Sequence, residues 1–155
     1  MPTKCLNKRI LFLDVDGVLL GKAGPDDSEI ILAKHAAEFL QYCLQNFDCF
    51  WLTTHCHDGD SKHITDLMNR YAGKAVMEMV KEIRPVSWRT LKTEAIDVES
   101  DFYWIDDAPL WSEILWLEND NVLKRWLMVD TSENPEELKR AISMLENIVF
   151  KIGRQ

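Results

Sequence analysis

Nowhere in this sequence of 155 residues is there a run of about 20 apolar residues, the length a helix needs to cross a bilayer. The polar start, residues 1–9, has no apolar signal core. A membrane protein is therefore not expected, and the cytoplasm is the expected location. Basic residues are scarce beside acidic ones: 18 Lys and Arg stand against 26 Asp and Glu, for a net charge of −8 and a pI of about 5.0. General nucleic-acid binding needs a basic face, so this balance argues against it and leaves room only for a local basic groove. An acidic chain that handles phosphate also calls for a cation in its site. The four cysteines, Cys5, Cys43, Cys49 and Cys56, include no CxxC pair. A chain of this length does not need disulfide staples, so reduced thiols are expected. Internal repeats, low-complexity tracts and long linkers are missing too, and residues 1–155 are expected to form one domain.

What the sequence does contain is enough apolar material, 46%, to build a core. The run at 10–13 (ILFL) is continuously apolar and meets acids and a glycine at its end. That pattern suits a central parallel strand buried on both faces. Residues 21–27, rich in Gly, Pro and Asp, read as a loop. Ser28 is the expected N-cap of a helix bearing Ile31, Leu32, Ala36, Phe39, Leu40 and Cys43. Further strands are expected at 48–54 (DCFWLTT), 101–105 (DFYWI) and 127–130 (LMVD). Between them, Ser61 precedes a helical pattern of Ile64, Leu67, Met68 and Tyr71. Residues 75–83 read as a helix ended by Pro85, and 91–96 as a helix start or core. Residues 135–150 form an amphipathic helix with Leu138, Ala141, Ile142, Leu145 and Ile148 on one stripe. Alternating strands and helices predict an α/β layer fold with a mostly parallel sheet. In such sheets a ligand sits beyond the carboxyl ends of the strands, at a topological switch point. Three apolar strands here end in polar residues: Asp14 and Asp16, Thr53 and Thr54, and Asp106 and Asp107.

These residue types suit phosphoryl chemistry. Asp14 follows the buried run directly. With an ordinary pKa near ~3.9 it is expected to be ionised and able to attack phosphorus. Asp16, two residues on, can protonate a leaving oxygen and then activate water, if its surroundings raise its pKa. Gly17 lets the backbone turn sharply beside a ligand. A carboxylate and a phosphate dianion repel, at about 4 kcal/mol per pair of unit charges at ~4 Å and an effective dielectric of ~20. Magnesium, an oxygen-seeking cation, offsets this, and Asp106 and Asp107 supply carboxylates for it. Lys92, fourteen residues before Asp106, can steady both nucleophile and phosphoryl oxygens. Lys81 and Arg84 compete for that role. Thr53 can donate its hydroxyl to phosphate, and on spacing alone Thr54 serves equally.

Residue by residue, the chain resembles the haloacid-dehalogenase (HAD) superfamily. LFLDVDGVL is similar to its first motif, which implies Asp14 as an aspartyl-phosphate nucleophile and Asp16 as acid/base. It also implies magnesium bound by the Asp14 carboxylate and the backbone carbonyl of Asp16. WLTT is similar to the second motif, with Thr53 the better fit to the phosphate-binding position. Lys92 in LKTEAI fits the third, and YWIDDAP the fourth, with metal-binding acids at Asp106 and Asp107. The four motifs come in order and span residues 10–107; the first and fourth are the specific ones. The resemblance implies a Rossmann-like three-layer sandwich. Residues 20–48 and 55–91 are too short for a full cap domain. Capless members act on large phosphorylated substrates or have the site covered by another subunit, which makes a homo-oligomer one expectation, and a small ligand in an open crevice is another.

The segment His55-Cys56-His57-Asp58 has metal-ligating residue types. Neighbours in a tight loop do not converge on a tetrahedral ion, so these residues are expected beside the phosphate site, with His55 or His57 in reach of substrate. Trp104, Trp111, Trp116 and Trp126 are expected to pack in the core and at its rim. The expected function is a magnesium-dependent phosphohydrolase of phosphate monoesters, with Asp14, Asp16 and Lys92 catalytic. A phosphotransferase on the same site and a non-catalytic phosphate- or partner-binding module are the alternatives. A sugar phosphate, a nucleotide, a phosphoprotein and a nucleic-acid terminus all remain open as substrates.

Overall fold

The structure, a computed structural model, describes residues 8–152. Cys5 and most of the polar start lie outside them. Four parallel strands form the main sheet: β1 (Arg9–Leu13), β4 (Phe47–Trp51), β5 (Phe102–Asp106) and β6 (Trp126–Met128). Their order across the sheet is β4-β1-β5-β6. Five helices flank it: α1 (Ala36–Asn46), α2 (Lys62–Met68), α3 (Lys74–Val80), α4 (Trp111–Asn119) and α5 (Glu137–Ile152). The fold is thus α/β with a parallel main sheet, as the alternation of patterns predicts. No helix among the described residues is long and apolar enough to cross a membrane.

β1 is apolar throughout its last four residues because it is covered on both faces. Leu11 and Leu13 join a large cluster with Cys49, Trp51 and Ile105, roofed by residues of α1, α3 and α5 such as Phe39, Val80 and Leu145. Phe12 points the other way, into a smaller cluster of Leu52, Phe102, Trp104 and Leu117. This alternation is the period of two of a strand, expressed in a sequence with no polar positions to mark it. The stripe predicted for the last helix also packs as expected: Leu138, Ala141 and Leu145 are buried. Of the four tryptophans between 104 and 126, Trp104 is buried and Trp116 and Trp126 pack at the edge of the smaller cluster, but Trp111 is 70% exposed.

Several local expectations fail. Residues 21–27 are not one loop, and no helix starts after Ser28. Instead β2 (Leu20–Lys22) and β3 (Ile30–Leu32) pair antiparallel, Leu20 opposite Leu32, so Ile31 and Leu32 are strand residues. The β-branched pair Ile30-Ile31 favours the strand. The helix cannot begin before residue 36, because His35 at its N-cap adopts φ +68°, outside helical space. Residues 91–96, read as a helix start or core, make only a 3-10 turn, Lys92–Ala95, but Lys92, Thr93 and Ile96 are buried. Ser61 does precede α2, but its side chain makes no cap; the Asp60 carboxylate accepts the Lys62 N–H instead, at 2.9 Å.

Chain order sets the position of the site. From β1 the chain runs to β4 on one side, then crosses to β5 on the other. The strand order therefore reverses at β1, and the carboxyl ends of β4, β1 and β5 border one crevice. Leu13, in register with both Trp51 and Ile105 and fully buried, is the last packing residue before it. Leu13→Ala is expected to lower the unfolding free energy by about 2–5 kcal/mol in urea titrations. A loss below about 1 kcal/mol would contradict the central position of β1 in the core.

Candidate active site

The ends of β1 and β5 bring three carboxylates together. Asp14, Asp106 and Asp107 each offer an oxygen, all within 4.8 Å of one another, and they are the one such grouping among the described residues. Asp14 leaves β1 with its N–H on the Ile105 carbonyl (3.1 Å). Its Oδ1 accepts the N–H of Val15 at 2.8 Å. Asp106 is fully buried, and its Oδ1 accepts the Ala108 N–H at 2.9 Å. Gly17 makes the close approach possible. Its φ is +74°, and a Cβ there would lie 2.1 Å from Asp107 Oδ2. Only glycine satisfies both conditions.

Lys92 enters this cluster from the 3-10 turn. Its Nζ lies 2.6 Å from Asp106 Oδ2 and 3.4 Å from Asp14 Oδ2. The turn is anchored by Glu113 of α4. That buried carboxylate accepts the N–H of Lys92 and, at 2.8 Å, the N–H of Leu110. Burial works against the Lys92 ammonium, but the Asp14 and Asp106 carboxylates outweigh it, and the pKa stands above the ordinary value. The competing cations fall elsewhere. Lys81 follows α3, and Arg84 lies over the Phe50 ring, 4.5 Å from its centre.

One lysine does not balance three carboxylates. Burial, and then the charge of Asp106, push Asp14 up to about 7 despite Lys92. Asp14 is therefore not the freely ionised acid that its ordinary pKa implies, because the strand end that positions it also removes it from water. Asp107 rises to about 6 through burial and the charges of Asp106 and Asp130. A divalent cation among the three would reverse both shifts. The donor set, carboxylate oxygen throughout, suits a hard cation.

Asp16 is placed differently. Its side chain is 59% exposed, and its Oδ2 lies 2.7 Å from His55 Nε2. This hydrogen bond holds the Asp16 pKa below the ordinary carboxylate value and raises that of His55. The raised pKa expected for a general acid is therefore not found; Asp16 is held as the carboxylate. Thr53 is fully buried, with its Oγ1 accepting the His55 N–H at 3.2 Å, whereas Thr54 is exposed. His57 packs edge-on to Trp88, with ring centres 5.7 Å apart, and Cys56 is buried. Residues 55–58 thus do not converge on an ion. Their imidazoles instead wall an open pocket of about 310 Å³ shared with Lys62 and His63.

The sequence alone does not single out two acids and one contact. Asp130 ends an apolar run as Asp14 and Asp106 do, so its signal was present. Glu113 is one acid in a charged helix start, and the His55–Asp16 contact joins residues thirty-nine apart; neither carries a local signal.

In metal-free protein, Asp14 and Asp107 bind protons more tightly folded than unfolded. Between the ordinary carboxylate range and about 7 the folded state holds extra protons, so stability falls as pH rises through that window. His55, raised by its partner, slopes the same way. With chelator present, the melting temperature is expected to fall from about pH 5 to about pH 8, and Asp14→Asn is expected to flatten part of that slope. An unchanged slope in the variant would show that Asp14 is not the group responsible. Compared with known proteins, the sequence matches no family model and no curated protein.

Proposed function

We propose that this chain is a phosphohydrolase of the HAD type, cleaving phosphate monoesters through an aspartyl phosphate on Asp14. The observation that carries the reading is the meeting of Asp14, Lys92, Asp106 and Asp107 at the carboxyl ends of β1 and β5, with Asp16 and Thr53, both hydrogen-bonded to His55, on the turns that follow β1 and β4. Each is the residue that the four sequence motifs single out, although they span almost a hundred positions. On this reading the sheet and its two apolar clusters form a Rossmann-like three-layer sandwich. The β2–β3 hairpin and the short helices α2 and α3 take the place of a cap domain.

The residues divide the work by their environments. Asp14 attacks phosphorus in line, and a bond from its oxygen to phosphorus forms as the bond to the leaving oxygen breaks. Asp16 passes a proton to that leaving oxygen. It then takes a proton from the water whose oxygen displaces Asp14 from phosphorus, which frees phosphate and restores the enzyme. Held as carboxylate by His55, Asp16 is ready for the second of these tasks and must collect a proton for the first. Thr53 uses its hydroxyl oxygen to accept from His55, so its own hydrogen is left to donate to a phosphoryl oxygen. Lys92 holds the nucleophile against Asp106. Magnesium, bound by Asp14, Asp106 and Asp107 together with the Asp16 backbone carbonyl that the resemblance implies, would supply the positive charge that keeps Asp14 ionised and offsets phosphate.

Purified protein is expected to release phosphate from an aryl phosphate and from members of a phosphate-monoester panel in magnesium, and not in chelator. Asp14→Asn should reduce turnover to background while the protein stays folded. Lys92→Met should lower kcat by at least about a hundredfold, as expected for loss of a positioned charge. Retained turnover in Asp14→Asn would refute the mechanism. Phosphate binding without turnover in the folded parent would favour a binding module.

A further inference from the structure

Asp16 sits on the exposed side of the crevice, on the turn after β1, and a short exposed aspartate populates several rotamers. What holds it is a residue from another strand end. His55 Nε2 lies 2.7 Å from Asp16 Oδ2, and the His55 side chain is itself mostly covered, 22% exposed. The residue is fixed by two backbone hydrogen bonds and one ring contact. Its backbone N–H is on Thr53 Oγ1. The Cys56 N–H returns to the Thr53 carbonyl at 3.2 Å, which turns residue 55 away from β4. Behind it the His63 ring of α2 stacks at 5.3 Å between centres, with an interplanar angle of 24°. The loop beyond is clamped in turn, since the Trp88 indole donates to the Cys56 carbonyl at 3.1 Å and the Trp88 N–H to that of His57 at 2.9 Å.

We propose that His55 is the positioning residue for Asp16: its hydrogen bond fixes the Asp16 carboxylate so that the other oxygen faces the leaving-group side of the phosphoryl site. The inference rests on the phosphohydrolase reading, in which Asp16 handles the leaving-group proton. Misplacing a reacting group by about 1 Å can cost on the order of a hundredfold in rate. General acid catalysis itself contributes about 10²–10⁴-fold. Because the bond acts on proton delivery, its worth depends on how badly the leaving oxygen needs a proton. An alkoxide leaves only with one. The anion of an acidic phenol leaves without.

The experiment compares an alkyl phosphate with an aryl phosphate whose phenol is strongly acidic, both in magnesium. The rate of the first step is read from the pre-steady-state release of the alcohol or phenol, so that slow breakdown of the aspartyl phosphate does not obscure it. His55→Ala is expected to slow alcohol release by about 10–100-fold. Phenol release should change by less than about threefold. His55→Gln, which keeps a donor, should recover part of the alkyl rate. His55→Phe, which keeps a ring against His63 but no donor, should not. Equal losses on both esters, or equal rescue by Phe and Gln, would overturn the inference and leave the phosphohydrolase reading standing. A folded parent protein that releases neither leaving group would overturn both.

Discussion

The ammonium of Lys92, wedged between the carboxylates of Asp14 and Asp106, is the contact on which the rest of the site depends. Three acids share a space less than 5 Å across, and two of them are buried. Left alone, such a cluster takes up protons or opens to water. One buried lysine answers part of the charge, and the fold commits several features to putting it there. The 3-10 turn presents it, the buried Glu113 ties that turn to the start of α4, and Gly17 lets Asp107 approach where any side chain would collide. The remaining imbalance appears as the raised proton affinity of Asp14 and Asp107. A cation is the ordinary remedy for such an excess, so the electrostatics and the donor chemistry favour the same kind of ligand.

Much of the fold could be read from sequence because the main strands carry an unambiguous pattern. A strand covered on both faces has no polar positions to lose, so residues 10–13 and 102–105 stand out, and the acids after them mark where each strand leaves the core. The stripe of α5 was equally plain. The hairpin was not. Ile31 and Leu32 fit a helical spacing with Ala36 and Phe39, and only their pairing with Leu20 and Gly21 makes them strand residues. Periodicity cannot see that pairing, and the left-handed backbone of His35 that ends the ambiguity has no glycine to announce it.

At the site, identities were legible and environments were not. The acids, Lys92 and Thr53 followed from motif order. The protonation of Asp14 did not, since it depends on burial and on Asp106, a residue ninety-two positions away. The choice between Thr53 and Thr54 has a structural correlate as well. The turn after β4 buries the first and exposes the second, and the buried one carries a hydroxyl already oriented by His55. Asp130, unassigned at first, contributes charge to Asp107 by the same device, an apolar run that stops at an acid.

The two aspartates of the DVDG turn are driven in opposite directions, and on the proposed reading that divergence gives one short segment two chemical roles. Asp14 is buried among like charges and pushed up. Asp16, two residues later, is exposed and held down by an imidazole. The end of the strand suffices to produce the difference: β1 stops at Leu13 and the chain turns at Gly17, so Asp14 still sits in the core while Asp16 has already reached the surface. On the proposed reading, a carboxylate that a cation must keep ionised is well suited to be a nucleophile, since it becomes competent only when the charge that also binds phosphate is in place. A carboxylate ionised on its own is suited to take a proton from water whether or not substrate is bound. Paired titratable groups whose surroundings separate their proton affinities are how one fold runs acid and base chemistry side by side. Here the separation comes from the backbone geometry of four residues and from one histidine contributed by the neighbouring strand.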